Sequence, residues 1–161
     1  MNRFKNSFLS ILVLISQISV FSKDRNIDSL IALMNNKENH DTIRVKASEL
    51  LINEYAYKDP VLALKHAQLF EKIARSEKRN NWLAEVLWKQ GILFRELNDV
   101  KKALKSLFDA LEMADKAKNK LLKAKINNSL GSLYYNLDKL EDAKKCFELS
   151  MKLAMEIDDK Y

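Results

Sequence analysis

Two histidines and one cysteine are all this sequence offers of the side chains most used as general base, nucleophile or soft metal ligand. His40 falls in the polar stretch Asn35–Asp41, where an exposed side chain is expected. His66 lies on a helical pattern, in a column it shares with Ser106 and Cys146 of two later repeat units. Two units is too far for a Cys–His pair. Cys146 sits among Ala143, Phe147 and Met151 and reads as a small buried hydrophobe. One cysteine forms no internal disulfide, although an oxidising compartment would permit an intermolecular one. There is no HExxH, no CxxC and no glycine-rich phosphate loop. The acidic pairs Glu141-Asp142 and Asp158-Asp159 stand among lysines and read as solvated faces. The expectation is a chain with no catalytic residue, no cofactor and no metal site.

The elements that carry these residues are helices. The 161 residues are 47% hydrophobic and 31% charged, a balance that buries a core. Only two glycines and one proline occur, while Lys, Glu, Leu and Ala abound. That composition predicts long helices, short connections and few tight turns. The formal charge is +6, and residues 1–22 contribute Arg3 and Lys5 with no acidic residue. The remainder has 26 basic against 22 acidic residues, near +4, with both signs interspersed. No RNP-like, zinc-finger or helix-turn-helix signature accompanies the charge, so no nucleic-acid partner is expected.

The first 22 residues read as an address. Arg3 and Lys5 precede Phe8–Phe21, which is apolar apart from Ser10, Ser16, Gln17 and Ser19. A basic region before a short apolar run is the pattern of a secretory signal peptide, with Val20 and Ser22 suited to a cleavage site before Lys23. The run is short for a membrane span, with an uncleaved anchor as the main alternative to cleavage, and no later segment is apolar enough for a span. With no cysteine after it, a lipid anchor is not expected. An exported, periplasmic protein is the resulting expectation.

Residues 23–40 hold one leading helix, about Ile27–Asn36, and its connection, and the rest repeats itself. Aligning 41–80, 81–120 and 121–160 superimposes Ala63, Ala103 and Ala143, then Ala74, Ala114 and Ala154, then Lys65, Lys105 and Lys145. The two glycines, Gly91 and Gly131, coincide as well. Periods of this length signal stacked supersecondary units. In the second half of each unit a stripe of small residues with an occasional large one recurs on one helical face. The stripes are Ala63, Ala67, Phe70, Ala74; Ala103, Leu107, Ala110, Ala114; and Ala143, Phe147, Ser150, Ala154. Such stripes let helices approach closely. Gly91 and Gly131 fall inside the first helix of their units, Trp82–Leu97 and Leu121–Leu137. Glycine there costs about 1 kcal/mol relative to alanine, so a neighbour must pass too close for a Cβ. Asp59 before Pro60, and Asp99 in the same column, suit helix caps; Asp138 stands one residue early, and Asp41 or Thr42 suits the cap of the helix that follows the connection.

These columns resemble the tetratricopeptide repeat. That family places a small residue, often glycine, in the first helix of a helix-turn-helix unit and an aromatic three residues on. Alanine follows early in the second helix, then a large apolar residue, then a small one. Gly91, Phe94, Ala103, Leu107 and Ala110 match, as do Gly131, Tyr134, Ala143, Phe147 and Ser150. The first unit departs, with Leu51, Glu54, Ala63, Ala67 and Phe70. The usual closing proline is replaced by Arg75, Asp115 and Met155. The unit is about forty residues long, as in a longer-helix subgroup of the family. The resemblance covers roughly residues 41–160 and implies an all-α fold, an α-α superhelix of about three helical hairpins behind one leading helix. A narrower resemblance rests on Asp28-Ser29-Leu30, Asp41-Thr42, Arg44-Val45 and Asp59-Pro60 with Ala63. These residues resemble the start of exported repeat regions that precede histidine kinases in Gram-negative bacteria. None of the kinase motifs occurs in the 161 residues.

The family resemblance implies protein binding in a concave groove lined by the first helix of each unit. The family's groove columns carry over to Val45, Ser48, Ile52, Tyr55 and Ala56; to Glu85, Trp88, Ile92, Arg95 and Glu96; and to Lys125, Asn128, Ser132, Tyr135 and Asn136. Tyr55, Trp88, Arg95 and Tyr135 are of the types that dominate interface energetics. The family's clamp for a terminal carboxylate is not expected, because Ser48, Ile52, Lys89, Lys125 and Ser129 occupy its positions and its two asparagines are missing. The repeat-packing residues are Ala63, Gly91, Ala103, Gly131 and Ala143. The last helix, about Lys139–Ile157, is expected to leave an apolar face uncovered, with Leu140, Cys146, Leu149 and Leu153 as candidates for self-association or partner contact.

Overall fold

The computed structural model describes residues 27–158, and the segment read as a signal peptide lies outside them. The described residues form seven helices and no strand. The leading helix α1 spans Ile27–Asn35. Three hairpins follow: α2 (Asp41–Tyr55) with α3 (Pro60–Ser76), α4 (Asn80–Glu96) with α5 (Val100–Lys116), and α6 (Lys120–Asn136) with α7 (Leu140–Asp158). Together they make an all-helical repeat superhelix.

The unit of construction is shorter than the sequence repeat. Helices α3 to α6 each contain 17 residues. Each is followed by a three-residue turn whose middle residue has positive φ: Lys78, Asn98, Lys118, and Asp138 after α6. In all four, the N–H just past that residue reaches back to the last turn of the helix: Arg79 to Ala74 O, Asp99 to Phe94 O, Asn119 to Ala114 O, and Lys139 to Tyr134 O. This is the Schellman closure, usually built on glycine. The expectation of few tight turns is corrected here, since the turns are tight and non-glycine residues make them. Asn98 and Asp138 tolerate the left-handed conformation, whereas Lys78 and Lys118 carry a cost of about 1 kcal/mol.

The caps follow the sequence in part. Asp59 accepts from the Leu62 N–H at 2.9 Å, and Asp99 from the Lys102 N–H at 3.1 Å. Asn119 does the same for Leu122 at 2.9 Å. Asp138 is not a cap, because it occupies the left-handed turn position in the column of Asn98. Neither Asp41 nor Thr42 caps α2. His40 does, its Nδ1 accepting from the Thr42 N–H at 3.2 Å, while Asp41 pairs with Arg44 at 2.8 Å. Arg44 and Asn39 also close α1, donating to the carbonyls of Met34 and Leu33.

Packing turns on the glycine columns. A Cβ on Gly91 would lie 2.6 Å from Leu107 Cγ, and one on Gly131 would lie 2.7 Å from Phe147 Cε1. Each glycine is thus the socket for the large residue of the second helix. In the first hairpin the sizes exchange, with Leu51 and Ala67 in those columns, both fully buried. The alanines Ala63, Ala103 and Ala143 are buried at the hairpin entrances. Leu30 and Met34 of α1 cover Ala47 and Leu51 as a smaller cluster.

The two sockets should respond differently to a methyl group. Gly91→Ala meets Leu107, which is 2% exposed and has nowhere to move; we expect a net loss of about 1–2 kcal/mol despite the better helix propensity. Gly131→Ala meets Phe147, which is 37% exposed and free to swing outward; we expect a change within about 0.5 kcal/mol. Urea unfolding followed by circular dichroism checks both.

Candidate protein-binding surface

The first helices of the three hairpins form one layer. Helices α4 and α6 pack directly on each other, while no comparable packing joins α2 to α4, α3 to α5 or α5 to α7. Two side-chain bonds tie this layer. The Lys89 ammonium donates to Asn53 Oδ1 at 2.9 Å, joining α4 to α2. The Trp88 indole N–H donates to Ser129 Oγ at 2.8 Å, joining α4 to α6. Ser129 in turn donates to the Lys125 carbonyl, a helical back-bond that fixes the hydroxyl as an acceptor for the indole.

Trp88 is the centre of the surface. Its ring is half-buried, with the Lys89 and Lys125 ammonium groups 5.7 and 5.6 Å from its centroid. Such contacts contribute about 0.5–1 kcal/mol each near solvent. Around it lie Glu49, Lys46 and Glu85. Burial raises the Glu85 pKa, and repulsion by Glu49 adds to this; Lys89, Lys46 and Lys125 oppose it. Burial lowers the Lys89 pKa, against the attraction of Glu49 and Glu85. These groups form a mixed-charge, partly desolvated surface around the indole.

The other expected groove residues are placed variously. Ile92 is half-buried, and Lys125 and Asn128 are exposed. Arg95 pairs with its neighbour Glu96 at 2.8 Å. Tyr135 is 64% exposed at the end of α6. The first unit is closed: Val45, Ser48 and Ile52 are buried, and Val45 and Ile52 belong to the same core cluster as Ala84 and Leu87 of α4. Tyr55 is half-buried and stacks on His66, ring centroids 5.7 Å apart. Family columns did not single out Asn53 or Glu49, nor did they pair Trp88 with Ser129. That pair spans 41 residues, one more than the repeat, so no column holds both.

The groups weighed for chemistry lie apart from this surface. Burial raises the Cys146 pKa, which holds its sulfur as a thiol and a poor nucleophile. His66 is buried, and its Nε2 has no hydrogen-bond partner. Among the described residues no group of three or more His, Cys, Asp or Glu side chains is placed to hold a metal ion. No described helix is long and apolar enough to cross a membrane.

The geometry of α6 and α7 is matched by a known family. Residues 124–155 match the tetratricopeptide repeat. The match runs from within α6 almost to the end of α7 and includes Gly131, Ala143 and Phe147. Helices α4 and α5 have the same 17-residue length as α6 and end in the same Schellman turns. A repeat of this kind points to protein–protein interaction. No curated protein and no solved structure matches the chain.

Two measurements probe this layer. A double-mutant cycle of Trp88→Phe and Ser129→Ala should give a coupling of about 0.5–1.5 kcal/mol, the worth of one indole hydrogen bond, by urea unfolding. His66, whose pKa burial lowers, should make stability fall with acid. Below its unfolded pKa of about 6.5 the unfolded chain binds the proton and the folded chain resists it, so the contribution is present above that pH and lost as pH falls. The drop in Tm between about pH 7.5 and 5.5 should be smaller in His66→Ser, which installs the residue found at Ser106.

Proposed function

We propose that the chain is an exported protein-interaction module, a scaffold or adaptor that holds a partner protein across α2, α4 and α6. What supports this reading is Trp88, bonded to Ser129 and flanked by the Lys89 and Lys125 ammonium groups, on the surface shared by α4 and α6. Tyr135, Arg95 and Asn128 extend the surface along α4 and α6, and Glu85 and Ile92 lie on the same face of α4 as Trp88. Export rests on Arg3, Lys5 and the apolar run Phe8–Phe21, a signal-peptide pattern that would deliver residues 23–161 to the periplasm.

A second reading has the same module serve as the sensing region of an envelope signalling protein of two-component type, in a longer-repeat relative of those proteins. Its support is the run Asp28-Ser29-Leu30, Asp41-Thr42 and Asp59-Pro60. The two readings share the binding surface and differ in what the bound partner triggers.

The test is a cross-linked pull-down from the cell envelope of a Gram-negative host with the C-terminally tagged chain. A Trp88→Ala, Arg95→Ala, Tyr135→Ala variant of matched helicity serves as control. We expect N-terminal sequencing to begin at Lys23, and we expect a partner whose recovery falls at least about tenfold in the variant. A partner held equally by both proteins, or a chain retained in the cytoplasm, would sink this proposal.

A further inference from the structure

One repeat before Leu140, Met151 and Met155 of α7 stand Val100, Leu111 and Asp115 of α5; Val100 and Leu111 are half-buried, and Asp115 is exposed and pairs with Lys123 of α6. On α7 Ala143 is buried, but Phe147 is 37% exposed and Ala154 is exposed. Leu140, Met151 and Met155 are 55%, 54% and 59% exposed. Leu140, Phe147, Met151 and Met155 lie on one helical stripe, at separations of seven, four and four residues. Leu153, expected from the sequence to be part of the open face, is buried, Cys146 is half-buried, and Leu149 points away on the opposite side.

The charges beside this stripe are arranged for reversal. Lys144 sits within it, and Glu148 borders it. Their own ion pair is the longest on the described surface at 4.0 Å, with both side chains more than half exposed. Reverse the helix about the midpoint between Phe147 and Glu148, and Leu140 falls opposite Met155, while Lys144 falls opposite Met151. Each Lys144 then lies beside a Glu148 of the reversed helix, and each Glu141 beside a Lys152. Parallel alignment sets Lys144 against Lys144 and Glu148 against Glu148. Only the antiparallel arrangement is self-complementary in charge.

We propose that this stripe is the seam of a homodimer in which α7 pairs antiparallel with α7 of a second copy. Such a contact is isologous and closes at two copies. The exposed apolar stripe and the stems of Lys144, Glu148 and Lys152 form the contact. The surface around Trp88 lies on the first-helix layer and stays open, so the dimer presents two copies of it and gains avidity for a repeated or dimeric partner.

The test is sedimentation equilibrium of the full chain, wild type and two surface variants, Lys144→Glu and Glu148→Lys, with helicity checked by circular dichroism. Both changes fall on exposed positions and leave the core intact. The expected result is a wild-type dimer, with each variant weakened about tenfold or more by like charges across the seam. An equimolar mixture of the two variants should restore dimerisation, because every cross-seam pair is then of opposite sign. A wild type that stays monomeric at about 100 µM overturns the proposal and leaves the face to a helix of another protein or a further hairpin. Association unchanged in either variant also overturns it, since the contact then lies elsewhere. Weakened variants that fail to recover on mixing overturn the antiparallel pairing.

Discussion

Close approach of helices is the constraint on which the structure depends. Two helices come within reach of each other's backbone only where one side chain is missing, and this chain supplies that gap at Gly91 and Gly131. Leu107 and Phe147 fill the gaps. The first hairpin solves the same problem with Leu51 on the first helix and Ala67 on the second. What repeats is therefore a combined volume across the interface rather than a residue at a position, as close packing requires. The glycines carry their helix penalty because no Cβ fits there.

The second regularity is the turn. Four Schellman closures at equal spacing join α3, α4, α5, α6 and α7 in succession. Identical joints propagate into a superhelix, and a superhelix brings the first helices into one layer. Trp88 reaches Ser129 only because α4 and α6 are neighbours in that layer. The joint therefore shapes the recognition surface although no turn residue belongs to it. Most ion pairs on the described surface span three or four residues of one helix, such as Arg75 with Glu71 and Lys116 with Glu112. Exposed pairs of this kind contribute a few tenths of a kcal/mol each and do not hold the stack together.

Polar chemistry concentrates in two places of different character. Around Trp88, partly buried charges of both signs lie close enough to shift one another, which gives specificity to whatever docks there. At His66 a buried imidazole has an unpartnered nitrogen and stacks on Tyr55, and burial lowers its pKa. The α7 stripe differs from both, being apolar with a charged border, as in a helix seam.

The sequence by itself determined the helices, their order and the small-residue columns. The reason is that local propensity and a 3.6-residue periodicity are properties of the chain alone. The alanine columns, the glycine pair, and Asp59 with Pro60 were all legible there. Only the tertiary structure decided how those pieces meet. The left-handed turns at Lys78 and Lys118 were hidden because lysine carries no turn signal, and the energy that holds it there comes from packing on either side. His40 displaced Asp41 as a cap because Arg44 draws Asp41 away. Val45, Ser48 and Ile52 left the groove because the next hairpin closes on the first, while Leu153 left the open face because of its angle on α7. Trp88 found Ser129 one residue off the repeat. A column in an alignment records equivalence along the chain, but contact is set by the rotation and distance between helices, which only the folded stack supplies.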